Sequence, residues 1–269
     1  MRPVAIIQAR MGSRRLPGKV LREICGKPML WHVVQRVRQV RMIKKVVVAT
    51  SSLSIDAPIC KFCDSEDISC FRGCEQDVLD RFYWAARENK ADPIIRLTGD
   101  CPFVDPQVVS KLLVLFSGGQ YDHVGVATGA GALFLEGGRY PDGLDCECFT
   151  MAALEKAWNE ATLTSDREHV TPFIWRSPDR FRVGSLRAIN NYGQYRWVVD
   201  NEADFDLVSQ VYEALYPANE FFLMQDILEF LARHPDVGDL NQSYVGHENY
   251  EAVWFPDRNR SNLEEGSAE

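Results

Sequence analysis

The sequence predicts an α/β protein built around a mostly parallel sheet. Short apolar runs, typical of buried strands, alternate with segments whose apolar residues recur at helical spacing. The alternation repeats about every 20–25 residues, which is typical of right-handed βαβ units. The chain has 269 residues, 46% hydrophobic and 25% charged, a composition that favours a folded protein over a disordered one.

The first 117 residues carry this alternation most clearly. The apolar run VAIIQA predicts a buried strand at 4–9, and the spacing of Leu30, Val33 and Val37 predicts a helix over 29–40. The other predicted elements of this half are strands at 46–50, 68–71 and 93–102, and helices at 55–63, 77–90 and 106–116.

The second half is less regular. Seven glycines between residues 117 and 138 predict a long loop or a hairpin. After them we expect strands at 143–149, 181–189 and 195–200, and helices at 151–161, 165–175, 202–216 and 223–235. We therefore predict one domain over residues 1–241, with 130–190 as an inserted lobe, followed by a polar tail at 242–269.

The charge distribution bears on the kind of ligand. The net charge is −8, which argues against a general nucleic-acid binder, yet residues 1–45 hold twelve Lys or Arg against one acid. A basic segment on an acidic body suits a small phosphorylated ligand. No apolar run approaches the roughly 20 residues of a membrane span, and the N-terminus lacks a signal-peptide core, so we expect a cytoplasmic protein with neither membrane nor nucleic acid as a partner.

The sharpest motif directly follows the first predicted strand. It reads RMGSRRLPGK over residues 10–19 and packs Arg10, Arg14, Arg15 and Lys19 into ten positions. Ligands of open parallel sheets bind beyond the carboxyl ends of the strands, and glycines there let backbone N–H groups reach phosphate oxygens. The motif matches neither G-x-G-x-x-G nor the P-loop, because Val20 follows Lys19 where a hydroxyl is required.

Two acids are predicted to end strands and to hold Mg²⁺. Asp100 closes the strand that ends Leu97-Thr98-Gly99, and Asp200 closes the strand predicted at 195–200. Carboxylates near a bound triphosphate are suitable Mg²⁺ ligands. Each acid alone is equally compatible with an ordinary turn; together they predict a site.

Further polar clusters are candidate binding groups for the acceptor, the nucleobase or a metal ion. Asp142, Asp145 and Glu147 suit hydrogen bonds to sugar hydroxyls, with a solvated acidic edge as the alternative. His169 is a candidate acceptor contact or a capping histidine, and Arg72 is a candidate reader of a nucleobase edge. The cysteines at 60, 63, 70 and 74 form a C-x2-C-x6-C-x3-C pattern, for which zinc binding is the minor alternative and reduced thiols the major one.

Taken together, these motifs resemble a known family. The segment 6–19 is similar to the nucleotide-binding loop of cytidylyltransferases that make CMP-activated acidic sugars. The spore-coat polysaccharide branch resembles this chain most closely, over about residues 3–241, at FRGCEQDVLDRF, RLTGDCPFVDP, YPDGLDCECF, REHVTPFI and RWVVDNEADFDLV. The sialate and octulosonate enzymes usually have Pro where Gln8 stands here, and their acceptor motifs differ.

The resemblance implies a nucleotide-diphosphosugar transferase fold, a three-layer α/β/α core with a small dimerisation lobe. It implies a homodimer and the Mg²⁺-dependent transfer of CMP from CTP to an acidic sugar or related acceptor, with release of pyrophosphate. The alternatives are a glycosyltransferase of the same fold, with Asp204-Phe205-Asp206 as its Asp-x-Asp motif, and a non-catalytic nucleotide-binding protein.

Site roles follow from the matching motifs. The predicted nucleotide contacts are Ala9, Arg10, Met11, Gly12, Ser13, Arg14, Lys19, Arg72, Thr98 and Gly99. The predicted catalytic residues are Arg10, Lys19 and Asp100, and the predicted metal ligands are Asp100 and Asp200. The predicted acceptor contacts are Asp142, Asp145, Glu147 and His169.

Overall fold

The computed structural model describes residues 2–129 and 137–246 and contains a central seven-stranded sheet. Its strands are β1 (Val4–Gln8), β4 (Lys45–Ser51), β5 (Ser69–Gly73), β6 (Ile94–Thr98), β7 (His123–Val126), β8 (Glu147–Phe149) and β9 (Val183–Leu186). The spatial order is β5-β4-β1-β6-β8-β7-β9. A small antiparallel pair, β2 (Glu23–Ile24) and β3 (Lys27–Pro28), lies outside this sheet.

Helices cover both faces of the sheet and complete three α/β/α layers. They are α1 (Met29–Arg38), α2 (Ala57–Ser65), α3 (Val78–Glu88), α4 (Pro106–Ser117), α5 (Met151–Glu160), α6 (Thr164–His169), α7 (Pro172–Trp175), α8 (Glu202–Leu215), α9 (Met224–Arg233) and α10 (Pro235–Gly238). One core lies between the sheet and α1, α2, α4, α8 and α9, and a second lies between the other face and α3, α5, α6 and α7. The predicted α/β class and mostly parallel sheet are confirmed.

Strand pairing explains where a ligand site forms. Strands β1, β4, β5 and β6 run parallel, so their carboxyl ends meet at one edge of the sheet. The chain moves outward from β1 to β4 and β5, and then returns to place β6 on the other side of β1. The loops after β1 and β6 therefore diverge and leave a crevice between them, as at the switch point of other open α/β sheets. Antiparallel β8 continues the sheet beyond β6.

Three predicted elements differ from the structure. Residues 195–200 are not a strand: apart from an isolated bridge between Arg196 and Asp142, the segment is irregular, because its backbone bonds to loops, as when the N–H of Val199 donates to the Asp100 carbonyl. The helix predicted at 165–175 is broken where Val170 adopts a φ of 74°. The strand predicted at 143–149 shrinks to β8, since Gly143, with a φ of 97°, turns the chain beforehand.

The structure describes part of the predicted lobe at 130–190 and part of the predicted tail at 242–269. Strands β8 and β9 fall within the region predicted as an inserted lobe, yet both belong to the central sheet. Residues 130–136 of that region and 247–269 of the predicted tail lie outside the described residues. The domain boundaries therefore stay a prediction. Across the described residues, no helix combines the length and apolar character needed to cross a bilayer.

Candidate active site

The crevice between β1 and β6 is closed at its base by a direct backbone contact. The N–H of Gly99, just after β6, donates to the carbonyl of Gln8 at the end of β1 over 2.8 Å. A Cβ at position 99 would lie 3.1 Å from the Ala9 Cβ and 3.2 Å from both the Gln8 oxygen and Leu30. A side chain at position 99 would therefore push the two strand ends apart by a few tenths of an ångström, and glycine avoids this.

The basic loop lines one side of the crevice. The Met11 carbonyl accepts hydrogen bonds from the N–H groups of Ser13 and Gly18, each over 2.9 Å, which folds the loop back on itself. Gly18 has a φ of 72°, a conformation that favours glycine. The loop leaves Arg10 and Arg14 exposed at the crevice edge. The loop thus presents Arg10 and Arg14 toward solvent.

A buried acid that sequence reasoning missed anchors this loop. Asp56, only 1% exposed, accepts a hydrogen bond of 2.6 Å from the backbone N–H of Met11. Its other oxygen accepts from the Ser51 hydroxyl at the end of β4. Asp56 therefore ties the loop after β1 to the turn after β4. The sequence offered no signal, because Asp56 lies 45 positions from its partner in an unremarkable turn.

Lys19 is the centre of the site. Its Nζ donates to Asp100 Oδ2 over 2.8 Å, to Asp200 Oδ1 over 2.9 Å and to the Val199 carbonyl over 2.6 Å. Its side chain is 7% exposed. Burial alone would lower the pKa of Lys19, but the two carboxylates outweigh burial and raise it, so the ammonium stays charged. The predicted approach of Asp100 and Asp200 is present, although Asp200 does not close a strand.

Asp200 faces three cations. Besides Lys19, Arg15 Nη2 lies 2.9 Å and Arg196 Nη2 3.0 Å from Asp200 Oδ2. Burial would raise the pKa of Asp200, but Lys19, then Arg15 and Arg196, lower it below its ordinary value. The carboxylate is therefore ionised at neutral pH. Sequence reasoning placed Arg15 in the basic motif but did not assign it this partner.

A buried network fixes the segment that carries Asp200. Arg196, a member of the quoted RWVVD motif without an assigned role, makes two hydrogen bonds of 3.1 and 3.2 Å to the fully buried Asp204. Arg196 also contacts Asp142 at 3.2 Å. The predicted acceptor contact Asp142 is thus 3% exposed and ion-paired. Its acceptor role stays a prediction.

A second network lies on the α3 side of the sheet, around Glu147. Its carboxylate accepts from Arg96 over 2.6 Å, from His123 over 3.0 Å and from Thr171 over 2.7 Å. Burial would raise the pKa of Glu147, but Arg96 and then His123 lower it to about 2. Arg96 also donates to the Gln8 amide oxygen over 3.2 Å. Glu147 is therefore an anion at neutral pH, and Arg96 is a further site-lining residue that sequence reasoning did not assign.

The remaining predicted contacts occupy different surroundings. Asp145 accepts from the Thr128 hydroxyl and, over 2.8 Å, from the Gly143 N–H, and burial raises its pKa. His169 is exposed at the end of α6; loss of water around part of the ring and the charge of Arg96 lower its pKa. The Thr98 hydroxyl lies 3.0 Å from the Cys101 sulfur.

Arg72 lies at the end of β5, as predicted, with its guanidinium held by backbone. It donates to the carbonyls of Ser51, Ser52 and Leu53 over 2.8–3.1 Å. These contacts fix the turn that carries the Asp56 anchor. A role at the nucleobase stays a prediction.

The cysteines and the acid pair define what metal the chain can hold. All eight cysteines are free thiols; Cys60 and Cys70 have sulfurs 3.7 Å apart, and Cys74 is exposed. Within residues 2–129 and 137–246, no cluster of three or more His, Cys, Asp or Glu side chains is arranged to hold a metal ion. Asp100 and Asp200 form only a pair, so an ion there needs ligands from a bound molecule.

The fold and site together define an α/β protein with a cationic loop and a pair of carboxylates at the switch point of its sheet. The chain matches the cytidylyltransferase family over residues 4–226. It belongs to that family of transferases.

Three relatives illustrate the similarity. The spore coat polysaccharide biosynthesis protein SpsF of Bacillus subtilis is 34% identical over 239 residues, which cover 86% of this chain and 94% of that one. The 3-deoxy-manno-octulosonate cytidylyltransferase of Trichlorobacter lovleyi is 36% identical over 118 residues, 44% and 46% of the two chains. The solved structure of a cytidylyltransferase from Leptospira borgpetersenii superposes with a TM-score of 0.79 at 27% identity, over 88% of this chain and 97% of that one.

Proposed function

We propose that this protein transfers CMP from CTP to an acidic sugar or a related acceptor, releases pyrophosphate, and serves polysaccharide biosynthesis. The observation that carries the proposal is Lys19 at the switch point, in contact with both Asp100 and Asp200, in a chain of the cytidylyltransferase family. Similarity to a spore coat polysaccharide biosynthesis protein of Bacillus subtilis and to the 3-deoxy-manno-octulosonate cytidylyltransferase of Trichlorobacter lovleyi supports the acceptor class and the pathway.

The donor set suits Mg²⁺. Asp100 and Asp200 offer carboxylate oxygens, the ligands that this hard cation prefers, and Mg²⁺ usually takes only one or two carboxylates plus substrate phosphates. The side chains are 27% and 25% exposed, so a solvated ion can reach them. When bound, Mg²⁺ would neutralise phosphate charge. We propose these two residues as its protein ligands.

The chain's own residues bind and orient the nucleotide. Arg10 and Lys19, with the backbone N–H of Gly12 and the hydroxyl of Ser13, would hold the triphosphate by charge-assisted hydrogen bonds. A hydroxyl oxygen of the acceptor then attacks the α-phosphorus in line; its bond to phosphorus forms as the bond to the pyrophosphate oxygen breaks, and the hydroxyl proton passes to water. Negative charge grows on the leaving group, and the fixed cations of the loop stabilise it.

The base and the acceptor would lie on either side of this centre. Ala9, Met11, Arg14 and Arg72 are proposed around the nucleoside, with Thr98 and Gly99 below the phosphates. On the α3 side, Asp145, Glu147 and His169 are proposed for the acceptor, together with Asp142. Because three donors already hold the Glu147 carboxylate and its pKa is lowered to about 2, it would accept one further hydrogen bond from the acceptor and would not act as a base.

The test is a pyrophosphate-release screen of CTP, UTP, ATP and GTP against acidic sugars and sugar phosphates, with ³¹P NMR of the product. We expect release with CTP and one acidic sugar only. Lys19→Ala and Asp100→Ala should lower the rate on the order of 10²–10³-fold, whereas Arg22→Ala, which removes an exposed pair with Glu202, should leave it unchanged. Normal turnover by folded Asp100→Ala contradicts the metal role.

The glycosyltransferase alternative finds no support in its motif. Asp204 and Asp206 lie in α8, and Asp204 is fully buried against Arg196 and caps the helix through the N–H of Asn201. Consumption of a nucleotide sugar in the same screen would nevertheless favour it.

Assembly and location complete the proposal. We propose a homodimer through the 130–190 region, where Ile189 is 99% exposed; light scattering on the purified chain tests it. Eight free thiols suit a reducing compartment, which supports a cytoplasmic location. We propose that neither membranes nor nucleic acids are partners, and a binding assay with vesicles and with RNA tests this.

A further inference from the structure

We propose that the Lys19 ammonium competes with the divalent ion for Asp100 and Asp200, so that the metal enters the site together with the nucleotide and not before it. This inference rests on the proposed function, since it takes the two acids as metal ligands. It adds an order of binding and a residue that enforces it.

Geometry supplies the first argument. The ammonium takes one oxygen of each carboxylate, Asp100 Oδ2 and Asp200 Oδ1, and gives its third hydrogen to the Val199 carbonyl. All three donors of Lys19 are therefore used, in a side chain that is 7% exposed. An ion shared by the two carboxylates has to compete with this ammonium for Asp100 Oδ2 and Asp200 Oδ1, or with Arg15 and Arg196 for the other oxygen of Asp200.

Charge supplies the second argument. The other oxygen of Asp200 contacts Arg15 and Arg196, so one carboxylate faces three cations. A divalent ion arriving alone would meet repulsion from these groups and little uncompensated negative charge. A triphosphate brings about four negative charges and new acceptors for Lys19 and Arg15. The lysine has a flexible stem that lets its ammonium turn from carboxylates to phosphates.

Removal of Lys19 distinguishes a competitor of the metal from a residue that supports the metal site. A residue that merely supports a metal site weakens metal binding when it is removed. Lys19, as a competitor, should do the opposite: without it, the free acids bind a divalent ion more tightly in the absence of nucleotide, even though turnover falls. Loss of the coupling between metal and nucleotide should accompany this gain.

The test measures Mn²⁺ binding to the full chain without nucleotide, with electron paramagnetic resonance as the readout. The variants are Lys19→Met, which fills the buried volume, Lys19→Gln, which keeps polarity, and Lys19→Met combined with Asp100→Asn. Circular dichroism verifies that each is folded. We expect the single variants to bind Mn²⁺ at least about tenfold more tightly than the natural protein, and the double variant to lose this gain. Arg22→Met, which removes an equal charge at an exposed pair, should bind Mn²⁺ like the natural protein.

Nucleotide addition gives the second readout. CTP should tighten Mn²⁺ binding in the natural protein by a larger factor than in Lys19→Met. Folded Lys19→Met and Lys19→Gln that bind Mn²⁺ no more tightly than the natural protein overturn the inference, and pyrophosphate release by the natural protein would then leave the proposed function intact. Suppose instead that both variants bind Mn²⁺ tightly, but the natural protein releases pyrophosphate from none of the four triphosphates. This result would overturn the proposed function and leave the competition between Lys19 and the metal intact.

Discussion

Replacement of Arg196 by Met tests how the site is held together. The guanidinium is 4% exposed and makes two hydrogen bonds to Asp204, which is fully buried. Its removal leaves the carboxylates of Asp204 and Asp142 in the interior without their main cation. Removal of one partner of a buried ion pair typically costs 3–5 kcal/mol, so we expect the free energy of unfolding to fall by about that amount.

The assay is urea unfolding followed by tryptophan fluorescence, for which the neighbouring buried Trp197 is a built-in reporter. Arg22→Met is the matched control: its pair with Glu202 is exposed, with side chains 33% and 60% accessible, and should contribute about 0–1 kcal/mol. Adding Asp204→Asn to Arg196→Met should restore part of the loss by removing the stranded charge. A loss below about 1 kcal/mol in Arg196→Met, or no difference from Arg22→Met, would refute the reasoning.

Three further predictions concern the loop, the strand ends and pH. Asp56→Ala removes the acceptor of the Met11 N–H and should raise the KM for CTP about tenfold, whereas Asp56→Asn keeps an oxygen there and should raise it less; equal KM values would contradict the anchor. Gly99→Ala forces a Cβ to within 3.1–3.2 Å of three atoms and should destabilise the fold by about 1–3 kcal/mol in urea unfolding. Gly238→Ala is the control, because an added Cβ there meets nothing within 4 Å and φ is −60°; equal losses in the two variants would contradict the crowding at Gly99. Burial lowers the pKa of His32 to about 4, so the unfolded chain takes up a proton at a higher pH than the folded chain, and the stability present above pH 6.5 should decline by about 3 kcal/mol as the pH falls to 4. His32→Gln keeps a donor for the Ile24 carbonyl and should flatten this pH dependence in thermal melts. An unchanged profile would exclude His32 as its source.

Local patterns predicted the first half of the fold well. Strands β1, β4, β5 and β6 and their helices fall where periodicity places them, because buried parallel strands and amphipathic helices each leave a local signature. The same reasoning wrongly predicted a strand at residues 195–200. Trp197, Val198 and Val199 have strong strand propensity, but the N–H groups of Trp197 and Val199 donate to the carbonyls of Asp142 and Asp100 and not to a neighbouring strand.

The site divides in the same way. Lys19, Asp100 and Asp200 could be grouped from the sequence, because each lies in a recognisable motif. Strand topology brings the motifs of Lys19 and Asp100 to one edge, whereas an irregular segment brings Asp200 beside them. Asp56 and Arg96 could not, since their importance comes from partners 45 and 51 positions away. Side-chain contacts at such separations follow from packing, for which a single sequence carries no pattern.

The reach between Lys19 and Asp200 has a consequence for synthesis of the protein. The two residues are 181 positions apart, and a ribosome adds roughly 5–20 residues each second. Roughly 10–40 s therefore pass between the addition of Lys19 and the addition of Asp200 to the nascent chain. In the first part of that interval, before Asp100 is added, Lys19 has neither of its carboxylate partners. Asp100 alone is available until residue 200 is added, so the complete site can form only after that point.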